Sequence, residues 1–376
     1  LGRPEKIALL YASAGHGHAK AAKAILEAIH LLAPAARAEA INTLTLTPGI
    51  VGRLYEQIYY FQIRYLPYLW GAFYFAFDQP WLAPFTRWAR RLVNGLGAGP
   101  LERFLINEQF DVIVATHFLS IEVACHLKKL GKIRPRIITV VTDYLPHRVW
   151  TGAGVDEYIV ALPVTRQGLI DRGVSAEKIH ILGIPIEEKF LRPQLRGRIM
   201  ERLGVKEGLF TVLVTSGGVG VDSIRKVAEG ILSSTVNPLK LLVVCGTNRR
   251  MFEDLQKFAA NDPRLHPFGF VSNMEELMEV SDLVIGKAGG LTVTECLVKE
   301  KPMILFGSVP GQETRNAGCV HQNGAGLAVS SVQEAVAAVL RFLESPLDLQ
   351  KMRENVGKMA KPQAARDIAE RALHGR

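Results

Sequence analysis

Two stretches of the chain hold most of the residues able to do chemistry. The first, residues 282–316, reads DLVIGKAGGLTVTECLVKEKPMILFGSVPGQETRN. Its pattern predicts a strand over 282–285, a turn over 286–290, a helix over 291–298, a strand over 302–306 and a loop over 307–316. Gly289 and Gly290 let the backbone close on a ligand, and the helix behind them offers N–H groups and a positive dipole end. Such a cradle suits a phosphate or pyrophosphate, and Lys287 adds a nearby cation. Glu295, a turn further on, is placed to accept hydrogen bonds from a ribose diol, and Gln312, Glu313 and Asn316 could read sugar hydroxyls. A structural reading competes: Gly-Gly before a helix is often only a turn, and Thr292-x-x-Glu295 fits a capping box.

The second stretch is SAGHGH, residues 13–18, between an apolar strand (6–12) and an Ala-rich helix (19–32). Strand, glycine loop and helix open a doubly wound α/β domain, whose ligands gather at the carboxyl ends of its strands. The spacing is not GxGxxG, which argues against a dinucleotide. His18 stands at the helix start, where the dipole disfavours its charged form. A neutral imidazole with a free lone pair is what a general base needs. A histidine that merely caps the helix is the equal alternative.

The elements that must position these residues follow in regular alternation. DVIVAT (111–116) is a buried strand with His117 at its end, a helix runs over 120–130, and a strand over 137–142 ends at Asp143 within TDYLPHRVW. Polar residues just past strand ends face the ligand crevice, so His117 and Asp143 either contact a substrate, orient His18, or bond local backbone. GIPIEEKFLRP (183–193) reads as a linker. A second strand (210–215), glycine loop (SGGVG, 216–220) and helix (to about 232) then echo the first, so the chain reads as two related halves. A strand over 240–245 ends in Gly246, Thr247 and Asn248, and HPFGFVSN (266–273) supplies a strand and loop whose backbone could pair with a flat base edge. Helices are predicted over 331–344 and 361–376. The expected division is 1–190, 191–355 and a terminal helix over 356–376.

Residues 54–88 stand apart: 14 of the chain's 29 Phe, Tyr and Trp fall there. Arg53, Arg64, Arg87, Arg90 and Arg91 are interleaved with them or flank them. An amphipathic segment with aromatics on one face and arginines near its ends can lie in a membrane interface. Ordinary helices burying these rings in a core are the alternative. Stacking on single-stranded nucleic acid uses the same residue types, but the segment is too apolar and no RNA-binding signature accompanies it.

At 376 residues the chain is long enough for two cores. With 48% hydrophobic and 22% charged residues it is globular. Cys125, Cys245, Cys296 and Cys319 are scattered and form no CxxC pair, which predicts buried, reduced thiols. No cleavable leader pattern is visible, and no apolar run reaches the ~18–20 residues of a spanning helix. A net charge of +9 suits an anionic membrane surface, a nucleic acid or a phosphorylated substrate, and charge alone does not choose among them. There is no Asp-x-Asp, no His-x-x-x-His and no cysteine cluster, so no metal is expected. Neither a GxSxG elbow nor a GxxxxGK[ST] loop is present.

GKAGGLTVTE followed by PGQETRN, together with SAGHGHAKAAKAI and VTDYLPHRVW…VDEYIVA…GIPI, resembles the family 28 glycosyltransferases, especially the branch that glycosylates diacylglycerol. The resemblance runs from Lys6 to about Val329. It implies an α/β fold of two Rossmann-like domains facing each other across a cleft (GT-B), the last helix returning to the first domain. It implies that His18, not His16, is the base, with Asp143 as a further catalytic candidate. The donor would be UDP-glucose or UDP-galactose, with Phe270 and Val271 at the uracil, Glu295 at the ribose, and Gln312 and Glu313 at the sugar. Gly17, Ser216, Gly217, Gly218, Gly246, Thr247, Lys287, Ala288, Gly289, Gly290, Thr292 and Asn316 complete the donor candidates. His117, Tyr65, Trp70, Phe73, Phe77, Trp81, Arg87, Arg90 and Arg91 are the acceptor and membrane candidates. The implied reaction is an inverting, metal-independent and cofactor-free transfer to diacylglycerol. It would run at anionic lipid on the inner face of the cytoplasmic membrane, with no nucleic-acid partner. Three alternatives share parts of this pattern: a UDP-sugar 2-epimerase, the peptidoglycan lipid-intermediate transferase, and a non-catalytic lipid- or nucleotide-binding module. The SAGHGH loop and PGQE favour the glycerolipid branch.

Overall fold

A computed structural model of the chain describes residues 6–13, 16–47, 57–58, 61–62, 65–82, 99–215 and 222–374. Ser216, Gly217, Gly218, Arg87, Arg90 and Arg91 lie outside the described residues, as does the side chain of His16. The chain divides into two compact units. The first comprises Leu1–Glu188, Val309–Gln312 and Lys361–Arg376; the second comprises Lys189–Ser308 and Glu313–Ala360.

In the first unit, strands β1 (Lys6–Tyr11), β2 (Arg37–Asn42), β3 (Val112–Ala115), β4 (Arg136–Val140), β5 (Glu157–Val160) and β6 (Ile179–Ile181) form a parallel sheet in the order β2-β1-β3-β4-β5-β6. The strands are nearly continuous apolar runs because both faces of a parallel sheet are covered. Successive residues serve opposite faces. Ile7, Leu9, Val112 and Val114 pack under helix α1 (His16–Leu32), while Ala8, Leu10, Ile113 and Ala115 pack under helices α3 (Gly99–Glu108) and α4 (Phe118–Lys129). Helix α2 (Pro67–Phe77) and helix α5 (Pro163–Ile170) belong to the same unit.

The terminal helix, α14 (Ala364–His374), is part of this unit and packs on α1. Its Ile368, Ala369 and Ala372 meet Ala22, Ile25 and Ile29, and the small side chains let the two helices approach closely. Arg136 donates to the carbonyls of Arg371 and Ala372 at 2.6 and 2.8 Å, satisfying last-turn acceptors, and Arg371 pairs with Glu157.

The second unit contains α6 (Arg196–Leu203), β7 (Phe210–Thr215), α7 (Asp222–Ser234), β8 (Leu239–Val244), α8 (Arg249–Ala259), β9 (Leu265–Phe268), α9 (Met274–Val280), β10 (Leu283–Gly286), α10 (Gly290–Val298), β11 (Met303–Leu305), α11 (Gln312–Gln322), β12 (Gly326–Ala328), α12 (Val332–Glu344) and α13 (Pro346–Met359). Only Gln312, the first residue of α11, groups with the other unit. The parallel sheet runs β12-β11-β10-β7-β8-β9, with its core against α7 and α12.

Two expectations need correction. Helix α1 begins at His16, three residues before the Ala-rich run, so His18 lies inside its first turn. The loop expected over 307–316 ends at Gly311, whose φ of +110° breaks the chain direction; the helix-compatible QETRNAGCVHQ then starts α11 at once. The linker read over 183–193 contains the boundary between the units, and its Ile184, Ile186 and Phe190 are buried. All four cysteines are free and buried, and burial raises each thiol above its usual range.

Candidate active site

The strand order of the first unit reverses between β1 and β3, and the space beyond the carboxyl ends of such a pair is where open α/β sheets bind ligands. His18 follows β1, and Thr116 and His117 follow β3. Thr116 holds His18 at both ends. Its carbonyl takes the Nδ1 hydrogen bond at 2.6 Å, and its hydroxyl donates to the His18 carbonyl at 3.0 Å. A carbonyl can only accept, so Nδ1 carries the proton and Nε2 carries the lone pair. Thr142 Oγ1 lies 3.2 Å from the same Nδ1. Burial lowers the His18 pKa to about 4, against the opposing pull of the Thr116 bond. The ring is therefore neutral at neutral pH with a defined basic nitrogen.

His117 sits edge-on to His18, with ring centroids 4.7 Å apart. It is buried, its Nδ1 accepts from the Leu119 N–H as the N-cap of α4, and burial keeps it neutral. Of the readings open for His117, bonding to local backbone is the one these contacts favour. Asp143 accepts from Trp150 Nε1 at 3.3 Å, and the orientation of His18 rests on Thr116. Gly17, half-buried, precedes His18 in the first turn of α1. The Thr116 carbonyl could not have been found in the sequence, because any residue type presents the same carbonyl there.

In the second unit the strand order reverses between β7 and β10, which places the 287–290 turn at the switch point. Gly286 is required by packing: a methyl there would lie 3.1 Å from the Thr215 carbonyl on the neighbouring strand. Gly289 is the N-cap of α10 and gives its first turn no side-chain cap. Thr292 is the third helical residue, so Thr292-x-x-Glu295 cannot be a capping box. Glu295 is only 5% exposed, one turn further along the same helix. Lys287 is half-buried.

Two donor candidates have a supporting place instead of an open one. Ala288 is fully buried, and its N–H donates to Ser308 Oγ at 3.3 Å. Asn316, expected to read sugar hydroxyls, is buried and donates to the Ala288 carbonyl at 3.1 Å, bracing the turn from below. It lies one turn beyond Gln312 and Glu313 on α11, and those two are half-buried. Gly246 (φ +59°) and Thr247 follow β8, and Asn248 caps α8 through the Met251 N–H. Phe270 is 72% exposed beyond β9, next to half-buried Val271.

Helix α2, PYLWGAFYFAF, has no charged residue and is not amphipathic, contrary to expectation. Tyr68, Leu69, Phe73, Phe75 and Phe77 are exposed, as are Tyr65 and Trp81 beside it; Trp70 is half-buried. The core alternative therefore fails for the exposed rings, while Trp70 and Tyr74 are half-buried. The C-terminal end of α2 is clamped. His147 Nε2 donates to the Tyr74 carbonyl at 2.8 Å, its Nδ1 accepting from Val149 N–H at 3.1 Å. Asp78, just past the helix, pairs with Arg172 at 2.6 Å and accepts from the Arg148 N–H at 2.9 Å. Burial raises the Asp78 pKa, but the Arg172 and Arg148 hydrogen bonds outweigh it and hold the carboxyl at about 2. TDYLPHRVW thus carries an anchor for α2, a role its sequence did not show.

Comparison with known proteins defines the class. The fold matches MurG of Acinetobacter baumannii (TM-score 0.66, 16% identity, 99% of this chain and 100% of that one). It also matches UDP-GlcNAc 2-epimerase of Neisseria meningitidis (TM-score 0.65, 12% identity, 98% and 99%). The glycosyltransferase WaaG matches with a TM-score of 0.57 at 14% identity over 98% of this chain and 100% of that one. The fold is the two-domain α/β fold of GT-B glycosyltransferases.

Residues 18–186 match the family model described as monogalactosyldiacylglycerol (MGDG) synthase, and residues 211–372 match the glycosyltransferase family 28 C-terminal domain. The chain belongs to the family 28 glycosyltransferases and is an enzyme of the UDP-sugar-dependent hexosyltransferase class. Among its relatives is the processive diacylglycerol beta-glucosyltransferase of Bacillus licheniformis, 26% identical over 94% of this chain and 90% of the relative. The Bacillus cereus protein of the same name is 29% identical over 81% and 77%.

Proposed function

We propose that the enzyme moves a hexose, glucose or galactose, from its UDP-sugar to diacylglycerol, with inversion and without a metal. The observation that carries the chemistry is the tautomer of His18: Nδ1–H is committed to Thr116, and Nε2 is left as a neutral base. Nε2 takes the proton of the lipid hydroxyl as its oxygen bonds to the anomeric carbon. The bond from that carbon to the UDP oxygen breaks on the opposite face, which inverts the configuration. The departing diphosphate carries negative charge, and the uncapped N-terminus of α10 with Lys287 is suited to stabilise it. Glu295 binds the ribose, Gln312 and Glu313 the sugar, and the exposed Phe270 with Val271 the uracil.

The relatives' names support diacylglycerol as the acceptor, and the exposed apolar helix α2 supports delivery from a lipid surface. No described helix is long and apolar enough to cross a membrane, so the reading is peripheral attachment through α2 and Trp81 at anionic lipid on the inner face.

The decisive experiment incubates the enzyme with diacylglycerol in anionic vesicles, UDP-glucose and UDP-galactose being offered separately, and weighs the lipids by mass spectrometry. A hexosyl-diacylglycerol whose yield is unchanged by EDTA is expected. Release of UDP with no lipid product would overturn the acceptor, and loss of turnover in EDTA would overturn metal independence. A separate test addresses Glu295. Glu295→Gln should weaken UDP binding about five- to tenfold in calorimetry, as expected for one charged hydrogen-bonding group. Unchanged affinity would remove Glu295 from the ribose.

A further inference from the structure

Lipid docking explains the outward residues of α2 but not its inner face. Gly71 is the one buried residue of the helix. A methyl there would stand 2.6 Å from Cβ of Pro310 and 3.6 Å from its Cα, so the bare helix backbone lies on the proline. Three residues on, the Tyr74 ring lies under the next residue of the same turn. A methyl on Gly311 would be 3.1 Å from Tyr74 Cγ, and Gly311 holds a φ of +110° that other residues rarely adopt. Two glycines, one on each partner, are thus used where helix and turn meet. The segment Val309–Gln312 groups with the first unit accordingly.

The seat is rigid. The Tyr74 carbonyl is held by His147, whose ring centroid lies 4.4 Å from that of Tyr74, and Arg172 and Arg148 fix the helix end through Asp78. Gln312 is one peptide bond beyond Gly311 and begins α11. A displaced Pro310–Gly311 turn must displace Gln312 with it.

We infer that Gly71 and Tyr74 are positioning residues for the donor sugar: they seat the Pro310–Gly311 turn and thereby set where Gln312 meets the hexose. The inference rests on the proposed contact of Gln312 with the sugar. Neither is among the residues proposed to touch the donor. The consequence is that one helix both meets the lipid and sets the sugar contact.

The test separates sugar from nucleotide. UDP, UDP-glucose and UDP-galactose are titrated by calorimetry into the full chain, its Gly71→Ala, Tyr74→Ala and Tyr74→Phe forms. UDP affinity should be the same in all four. Affinity for the UDP-hexose that the unaltered enzyme turns over should fall about five- to tenfold in Gly71→Ala and Tyr74→Ala, the scale of one or two lost hydrogen bonds. Tyr74→Phe, which keeps the ring against Gly311, should retain it. Equal affinities for the UDP-hexose in all forms would overturn the inference. So would parallel losses for UDP and UDP-hexose, which a general weakening of the fold would produce. If Tyr74→Ala does not fold, Gly71→Ala decides, since it adds a single methyl. Failure of the unaltered enzyme to bind UDP at all would instead overturn the donor site on which the inference stands.

Discussion

His18→Ala lowers kcat for hexose transfer by ~10²–10⁴-fold, the usual contribution of a positioned general base. UDP affinity stays within about twofold, because the proposed nucleotide contacts belong to other residues. Single-turnover transfer and calorimetric UDP binding, measured on the same preparation, check the two halves. Turnover above a tenth of the original would remove His18 as the base. The pH profile adds a sign. His18 acts as a base only when neutral, and burial lowers its pKa to about 4. The acid limb of kcat/KM therefore falls only as pH approaches 4, not near the 6.5 of a free imidazole. An acid limb at 6–7 would contradict the half-buried, neutral ring.

Stability should respond to the same group. Because the folded pKa lies below the unfolded one, the unfolded chain takes up the proton first as pH falls. The contribution is fully present above about 6.5 and is lost progressively down to about 4. His117, lowered by burial in the same direction, adds to this slope. Denaturant midpoints between pH 7 and 4 should fall less steeply in His18→Ala than in the unaltered protein.

The second large effect concerns the surface helix. Replacing Tyr68, Phe73 and Trp81 together with Ser should lower partition onto anionic vesicles by about 100-fold. Each ring is exposed, and about 1 kcal/mol per ring is expected from partial burial in the lipid interface. Trp70 is better left in place, since it is half-buried. The melting temperature should not fall, because none of the three rings is core. Vesicle sedimentation and thermal melting decide together. Unchanged partition would remove α2 from the membrane, and a large drop in melting temperature would return its rings to the core.

The sequence by itself determined the strands, the two α/β halves, and the identity of the residues with chemical potential. Parallel strands buried on both faces are written as continuous apolar runs, and glycine turns between strand and helix are written in residue type. His18, Glu295 and Gln312 were singled out for that reason: each is a polar side chain at, or one helical turn from, a readable break in the pattern. What only the tertiary structure decided were contacts made by groups that carry no residue signature, or by residues distant in the chain. The Thr116 carbonyl that fixes the His18 tautomer is a backbone atom 98 residues away. Asn316 reads in the sequence as one more polar side chain beside Gln312 and Glu313, and only the fold shows its amide donating to the Ala288 carbonyl, 28 residues away. The aromatics of 65–81 read as a membrane-facing surface with a buried core as the alternative, because apolarity does not say what covers it. Only the packing, with Gly71 and the Tyr74 ring facing in and Tyr65, Tyr68, Phe73, Phe75, Phe77 and Trp81 exposed, made that choice.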